Sequence, residues 1–317
     1  MLWLLAALGL VILLLAGDAL VKGAVNLSLR LGVPAMIVSL TIVAFGTSAP
    51  ELLIAISAVI EDAPGIAIGN VVGSNTANIL LVLGLPALLV PLKTGQCDTR
   101  KNYQFMIAGT FLFIIVAFFE PITWVGSLIL LAALSYVLLH SAKAAKHHRR
   151  QSKMHVAEEA EELDEADPDM SWPLIGFYIV LGMIGLPLGA DLLVDSATEI
   201  ARMFHVSDTV IGLTLVAVGT SLPELATTIM AAMRRQAEVA LGNVIGSNMF
   251  NLLAVIGFAA LVGPLPVSQS ILGFDVWVML GASLMLLPFV YMRKDIGRHI
   301  GISFCAVYAA YLFVVVS

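Results

Sequence analysis

The chain has 317 residues, of which 60% are hydrophobic and 12% are charged, and its mean hydropathy is +0.99. Soluble domains average about 45–50% apolar and about 25% charged residues, so this composition excludes a water-soluble fold. The net charge of −6 hardly describes the surface, because eight acids lie within residues 158–169, and no basic surface suggests a nucleic acid partner.

Apolar runs of about 20 residues recur along the chain, each long enough to cross roughly 30 Å of hydrocarbon as a helix. The sequence lacks the short alternating segments of a membrane β-barrel, so it predicts an all-α integral membrane protein. The first run has neither the basic start nor the cleavage site of a signal peptide, and we expect it to be retained as a helix. We predict ten transmembrane helices, at residues 2–21, 33–60, 66–92, 103–119, 122–142, 173–195, 206–233, 239–263, 271–291 and 299–316.

The distribution of basic residues predicts the orientation of these helices. With the loops placed on alternate sides, fifteen of the sixteen Lys and Arg residues fall on one side, and Arg202 falls on the other. The crowded side is expected to be cytoplasmic. We therefore expect both termini to be external and residues 143–172 to be cytoplasmic, and the lack of long soluble domains leads us to expect a plasma (inner) membrane protein. This segment changes from basic to acidic and is predicted to be a solvated linker, with a calcium-sensing or regulatory element as the alternative.

The chain repeats itself at a spacing of 173 residues. LTIVAFGTSAPE at 40–51 matches LTLVAVGTSLPE at 213–224, and GNVVGSNTAN at 69–78 matches GNVIGSNMFN at 242–251. Five predicted spans separate equivalent positions, and because five is odd the second half enters the membrane from the opposite side. We predict two inverted-topology five-helix repeats, residues 1–142 with a motif at 40–78 and residues 173–317 with a motif at 213–251.

The same offset relates Asp18 to Asp191. In the predicted spans both acids lie near a helix end, where we expect them to be interfacial rather than to bind an ion.

Each repeat places one glutamate inside a long apolar segment. About seventeen residues precede Glu51 in its predicted span, and Glu224 is its counterpart in the second repeat. An ionisable side chain at such a position is expensive to bury, and it marks a functional site unless it reaches a helix end or pairs with a cation. Neither motif contains Lys or Arg. We predict that both carboxylates bind a transported ion, and we predict neither a cofactor nor a catalytic residue.

The residues around Glu51 supply further oxygen atoms. Thr47, Ser48 and Glu51 lie three or four residues apart and share a helix face. Ser74 and Asn78 of the second motif are one turn apart, and their counterparts are Ser247 and Asn251. Hydroxyl, amide and carboxylate oxygens suit Ca²⁺ or Na⁺ rather than zinc or copper. For the remaining asparagines, hydrogen bonding between helices is an equal alternative to ion binding: these are Asn70, Asn75, Asn243 and Asn248.

Two prolines predict where the helices break. Pro50 cannot donate a backbone hydrogen bond to Gly46, and Pro223 has the same relation to Gly219. Irregular backbone at mid-membrane is tolerated only where it is buried or lines a wet cavity. The prolines therefore predict unwound helix next to both glutamates.

Charge balance predicts exchange rather than uniport. The two carboxylates carry a charge of −2, which one Ca²⁺ or two Na⁺ would neutralise, so the two loads compete for one site. Without a load, two unpaired carboxylates would be buried, and movement of the unloaded carrier is disfavoured.

With these paired motifs the chain resembles the cation/calcium exchanger superfamily, and in particular its sodium/calcium exchanger branch. The resemblance covers essentially the whole chain. It implies exchange of Ca²⁺ for Na⁺ by alternating access at Glu51 and Glu224, with the first and sixth helices, here 2–21 and 173–195, sliding over a fixed core. It also implies ligation by side-chain oxygens of Thr47, Ser48, Ser74, Asn78, Thr220, Ser221, Ser247 and Asn251 and by the backbone carbonyls of Ala44 and Ala217.

Features of other branches are missing. Asn78 and Asn251 stand where an acid is associated with the potassium-dependent branch, and the GN-A-x-E motifs of the proton-coupled branch do not occur. An antiporter of Ca²⁺ or another divalent cation with H⁺ remains the alternative, because two protons would also neutralise the glutamates. A cation channel is less favoured because inverted repeats suit a carrier, and an enzyme is less favoured because no histidine accompanies the serines.

Overall fold

The computed structural model describes residues 1–119, 121–151, 167, 169–205 and 217–316. Regular structure in these ranges is helical, apart from two isolated β-bridges. The helices are α1 (Leu2–Leu31), α2 (Ala35–Thr47), α3 (Ala49–Ile60), α4 (Pro64–Leu89), α5 (Arg100–Phe118), α6 (Trp124–Gln151), α7 (Trp172–Met203), α8 (Leu222–Met233), α9 (Ala237–Val262), α10 (Ile271–Tyr291) and α11 (Arg298–Val316), with single turns at Thr94–Gln96 and Ala217–Gly219.

The predicted class of membrane protein is confirmed. Within the described ranges, eight helices are long and apolar enough to cross a membrane, and α2 with α3 makes a ninth candidate span that is bent by 41°. The remaining predicted span, 206–233, is described only from residue 217. Its described part contains α8, an apolar helix of 12 residues. The count of ten therefore remains a prediction.

Helix α1 is about ten residues longer than its predicted span. It ends at Gly32, whose φ of 65° lets its backbone N–H reach Leu29 O, and Pro34 follows. Charged residues do not end the helix, because its second half packs inside the protein: Asp18 is half-buried and bonds Arg234 at 2.6 Å. The prediction that Asp18 and Asp191 lie near helix ends was wrong, since both lie in the middle of long helices.

The predicted linker begins later than expected. Helix α6 continues through residues 143–151, so the basic part of the segment is helical rather than loop. The acidic part, residues 152–166 with residue 168, lies outside the described residues.

Helices α4 and α9, which carry the two asparagine-rich motifs, form the centre of the molecule. In the most apolar stretch of 18 residues of each helix, 78% is buried in α4 and 89% in α9. The corresponding share for the other single-helix candidate spans is 17–44%. Helix α9 meets α2 so closely that a Cβ atom on Gly246 would lie 2.6 Å from Leu40 O, and one on Gly242 would lie 2.9 Å from Met36 O. Gly242 and Gly246 therefore allow the close approach of α9 and α2, whereas a Cβ atom on their counterparts Gly69 and Gly73 would have no atom within 4 Å.

Helices α1 and α7 pack against each other, and each uses a glycine at the contact. A Cβ atom on Gly9 would lie 2.7 Å from Leu193 N, and one on Gly182 would lie 2.9 Å from Leu20 Cα. Gly9 and Gly182 are 173 residues apart, and so are their partners Leu20 and Leu193. The two turns that follow α3 and α8 obey the same spacing, because Asp62 and Arg235 both have a φ of 57°.

Candidate cation site

The predicted helix breaks lie beside the glutamates. Ser48 (φ −88°, ψ 2°) separates α2 from α3, and Ser221 (φ −91°, ψ 3°) precedes α8. Each proline falls in the first turn of the helix that follows, where no N–H is needed. The break therefore places one glutamate in the first turn of each of these helices, where the helix dipole favours a negative charge.

Glu51 lies in the first turn of α3 and is completely buried. Neither of its carboxylate oxygens has a hydrogen-bond partner among the described residues. A buried carboxylate without a partner is costly unless a cation or a proton neutralises it.

Glu224 lies in the first turn of α8 and is equally buried. Its Oε1 accepts hydrogen bonds from Ser48 Oγ at 3.2 Å and Ser247 Oγ at 3.3 Å, whereas Oε2 has no partner in the described ranges. Ser48 lies one turn before Glu51, so this contact brings the two glutamate motifs to one place. The two carboxylates nevertheless differ, because hydroxyl groups hold only one of them.

Hydroxyl pairs join the breaks to the central helices. Thr47 Oγ1 lies 3.3 Å from Ser247 Oγ, and Ser74 Oγ lies 3.4 Å from Thr220 Oγ1. Thr47 Oγ1 also donates to Ala44 O at 3.3 Å. Each pair takes one residue from a glutamate motif and one from the asparagine-rich motif of the other half. Contacts between the halves therefore bring the predicted ligands together.

The asparagines of α4 and α9 form a network between these helices. Asn75 Nδ2 donates to Asn248 O at 3.2 Å, and Asn248 Nδ2 donates to Asn75 O at 3.3 Å. Asn78 Nδ2 donates to Asn248 Oδ1 at 3.1 Å, which leaves Asn78 Oδ1 without a described partner. Both side-chain polar atoms of Asn251 also lack one. Interhelical hydrogen bonding thus accounts for both side-chain polar atoms of Asn248, while Asn75, Asn78 and Asn251 each keep a side-chain oxygen without a described partner.

Hydrogen bonding between helices, the alternative predicted for Asn243, is also what Asn243 shows, and its partner Thr228 was missed in the sequence. Asn243 Nδ2 donates to the backbone carbonyl of Glu224 at 3.2 Å and to Thr228 Oγ1 at 3.2 Å. Thr228 follows Glu224 by four residues, so its position on the same helix face was the available signal. Together Asn243 and Thr228 fix the backbone that carries Glu224.

The described part of the site offers oxygen atoms to a cation. Within it, no group of three or more His, Cys, Asp and Glu residues could hold a metal ion. Thr220 is half-buried, and Ala217 belongs to a single helical turn. The other predicted ligands are buried: Ala44, Thr47, Ser48, Glu51, Ser74, Asn78, Ser221, Glu224, Ser247 and Asn251. Among the described residues, the buried side-chain oxygens without a hydrogen-bond partner are both of Glu51, Glu224 Oε2, Asn75 Oδ1, Asn78 Oδ1, Ser221 Oγ and Asn251 Oδ1.

Comparison with known proteins shows similarity to sodium/calcium exchangers in both sequence and structure. The profile of the sodium/calcium exchanger protein family matches residues 1–142 and 174–317. The sodium/calcium exchanger MaX1 of Methanosarcina acetivorans is 36% identical over 98% of this chain and 97% of its own. Inner membrane protein YrbG of Escherichia coli is 32% identical over 93% of this chain and 90% of its own. A solved structure of the sodium-calcium exchanger NCX_Mj superposes with a TM-score of 0.82 at 32% identity and covers 99% of both chains.

Proposed function

The chain belongs to the sodium/calcium exchanger protein family, and from that premise we propose that it exchanges Ca²⁺ for Na⁺ at the site formed by Glu51 and Glu224. Transport proceeds by alternating access, with the ions as cargo and no cofactor. The observation that carries the proposal is the set of buried oxygens without hydrogen-bond partners around two buried carboxylates. A hard cation that leaves water exchanges the oxygens of its hydration shell for protein oxygens of this kind.

The difference between the carboxylates supports a division of labour. Glu224 is positioned by Ser48 and Ser247 through one oxygen and offers the other to an ion. Glu51 offers both oxygens and can bind Ca²⁺ through two atoms. We assign Glu51 as the principal Ca²⁺ ligand and Glu224 as a preset ligand shared by Ca²⁺ and Na⁺.

Contacts between the halves support an inverted repeat. Reciprocal hydrogen bonds between Asn75 and Asn248, which are 173 residues apart, are the pattern expected on a pseudo-two-fold axis. The bridges Leu92–Ile296 and Ile122–Leu265 add a second, approximately related pair, since Leu92 and Leu265 are 173 residues apart and Ile122 and Ile296 are 174 residues apart. We propose ten spans in two repeats, residues 1–142 and 173–317, joined by the segment 143–172.

The location follows from the same proposal. We place the chain in a plasma (inner) membrane with residues 143–172 and the clustered basic residues in the cytoplasm and both termini outside. Sequence similarity to an inner membrane protein supports this location.

Transport of ⁴⁵Ca²⁺ into proteoliposomes tests the function. Liposomes loaded with Na⁺ are compared with liposomes loaded with choline at the same pH, for the wild type and for Glu51→Gln and Glu224→Gln. Asp62→Asn is the matched control, because Asp62 is an exposed acid in the turn after α3. We expect uptake that requires internal Na⁺, is lost in both site variants and persists in the control.

Other outcomes distinguish the alternatives. Uptake that ignores Na⁺ and follows an imposed pH gradient identifies H⁺ as the counter-ion and leaves the site intact. A linear current without any counter-ion identifies a channel. Uptake that survives in Glu51→Gln and in Glu224→Gln disproves the site.

A further inference from the structure

A groove on the membrane-facing surface lies between α5 and α10, and none of the predicted cation ligands lines it. Its volume is about 560 Å³, and its lining includes Gln104, Ala108, Phe111, Leu284, Leu287 and Tyr291. Phe111, Leu284 and Leu287 are 41–45% exposed along it. Because both helices are candidate membrane spans, the occupant of this groove must be soluble in the bilayer.

One end of the groove is polar. Gln104 Nε2 donates to the Tyr291 hydroxyl at 2.9 Å, which places a tyrosine where a span meets the membrane interface. Arg100, one turn before Gln104, donates to Tyr291 O at 3.3 Å and lies 5.8 Å from the centre of its ring. Lys101 is exposed three residues before Gln104, on the same helix face.

Two loop segments hold further cations at this end. The backbones of Leu92 and Ile296 bond each other in both directions at 3.0 Å, and Thr94 Oγ1 donates to Lys294 O at 2.7 Å. The paired segments, residues 93–101 and 293–295, contain five cations and two acids, a net charge of +3. One of the acids, Asp295, accepts a hydrogen bond from the backbone N–H of Gly95 at 2.9 Å, so its negative charge is partly offset within the paired segments.

We propose that this groove binds an anionic phospholipid. The part of an acyl chain nearest the headgroup lies between α5 and α10, and Arg100 and Lys101 bind the phosphate at the polar end. Basic pockets between transmembrane helices select anionic headgroups for this electrostatic reason. The apolar lining explains why the ligand is a lipid rather than free phosphate, which would contact only the basic end. The inference rests on the membrane-spanning fold and does not depend on which ions are exchanged.

Native mass spectrometry of the purified full chain tests the proposal. The probes are phosphatidylglycerol and phosphatidylcholine with identical acyl chains, offered in equal amounts. We expect wild type to retain phosphatidylglycerol preferentially. In the double variant Arg100→Gln/Lys101→Gln the ratio of retained phosphatidylglycerol to phosphatidylcholine should fall roughly 30-fold, at about fivefold for each cation. Glycerophosphoglycerol, the headgroup without chains, should not displace the bound lipid.

Two matched variants keep the test specific. Lys143→Gln/Lys146→Gln removes the same charge from exposed positions on α6 and should leave the ratio unchanged. Ala108→Trp fills the groove and should lower retention of both lipids, whereas Ala309→Trp, at an exposed position on α11, should not. Equal retention of the two lipids by wild type overturns the proposal, as does an equal loss in the α5 and α6 double variants.

Discussion

Arg234, at the end of α8, donates a hydrogen bond to Asp18 in the middle of α1, with 2.6 Å between Nε and Oδ1. Both side chains are largely shielded, with exposures of 16% and 28%. The equivalent positions in the other half are Glu61 and Asp191, which are both acidic. Helix α1 packs on α8, whereas α7 makes almost no contact with α3. An oppositely charged pair therefore lies where α1 packs on α8, and two like charges lie at the equivalent positions, where α7 and α3 make almost no contact.

Breaking this ion pair should loosen the contact between α1 and α8. A partly exposed pair contributes about 1 kcal/mol, so Arg234→Gln should shift the equilibrium between closed and open contact about fivefold. A cysteine at Ala226 reports this opening, because Ala226 is buried where Gly17 of α1 meets α8. In a chain without its native cysteines, the rate at which this cysteine is alkylated should rise about fivefold. Arg235→Gln removes an exposed neighbouring arginine, and an equal rise in that variant would contradict the interpretation.

The acidic pair in the other half predicts the opposite experiment. Glu61→Arg puts a cation opposite Asp191 and should favour the state in which α7 approaches α3. If access alternates as proposed, that state opens α1 from α8, so alkylation of the same cysteine at position 226 should again rise about fivefold. Glu61→Gln removes the like charge only and should have a smaller effect. Adding Asp191→Asn to Glu61→Arg should cancel the rise, and a rise that persists would exclude the pairing.

Sequence alone predicted the membrane class, most spans and the residues around the two glutamates. These features follow from local chemistry: apolar length sets a span, and Pro50 sets the break at Ser48. Helix lengths were less predictable. The apolar run of α1 ends near Asp18, and only a distant partner, Arg234, allows the helix to continue with that charge inside.

The difference in hydrogen bonding between the two carboxylates could not be predicted from the repeated sequence motifs. The motifs around Glu51 and Glu224 are nearly identical in sequence, yet only Glu224 accepts hydrogen bonds from Ser48 and Ser247. Which serine reaches which carboxylate depends on how α2 and α8 pack on the central helices. A pattern in one dimension identifies such residues but does not pair them.

A methyl group at Gly246 should destabilise the protein. Its Cβ would lie 2.6 Å from both Leu40 O and Ala44 Cβ, and the backbone atom can move only with α2. Overpacking of this kind costs about 1–3 kcal/mol, so Gly246→Ala should lower the midpoint of thermal unfolding in detergent. Gly281→Ala is the control, because Gly281 is exposed and no atom lies within 4 Å of an added Cβ. That variant should be neutral or slightly more stable, and equal losses in the two would refute the close-contact argument.

Asn248 should matter more for stability than its partner Asn75. Asn248→Ala leaves the buried Asn78 Nδ2 without its acceptor and removes the bond to Asn75 O, whereas Asn75→Ala removes only the bond to Asn248 O. Each unsatisfied buried group costs about 1–3 kcal/mol, so Asn248→Ala should be the more damaging by about 1 kcal/mol or more. Denaturation of both single variants and the double variant measures this. Equal losses in Asn75→Ala and Asn248→Ala would contradict this assignment, because each alanine keeps the backbone carbonyl that accepts the other residue's bond.

Cys97, in the loop between α4 and α5, should react only at very alkaline pH. Burial raises the pKa of its thiol from 9.0 to about 12, with smaller contributions from the nearby negative charges of Glu238 and Asp295. The thiolate is the reactive form, so at pH 8 alkylation should be roughly 1,000-fold slower than for a thiol with a pKa of 9.0. Because the pKa is raised, the thiol stays neutral throughout neutral pH. The rate of alkylation then rises about tenfold per pH unit until the pH nears the pKa of the Cys97 thiol in the folded protein.

The measurement uses Cys305→Ser, which leaves Cys97 as the single cysteine, and follows iodoacetamide labelling between pH 7 and 11. Adding Glu238→Gln should speed labelling at a given pH, because it removes one negative charge that opposes the thiolate. The same chain unfolded in detergent and urea provides the reference rate for an unperturbed thiol. Folded protein that labels as fast as this reference at pH 8 would show that the thiol is not shielded by the segments that hold residues 93–97 against α9 and α10.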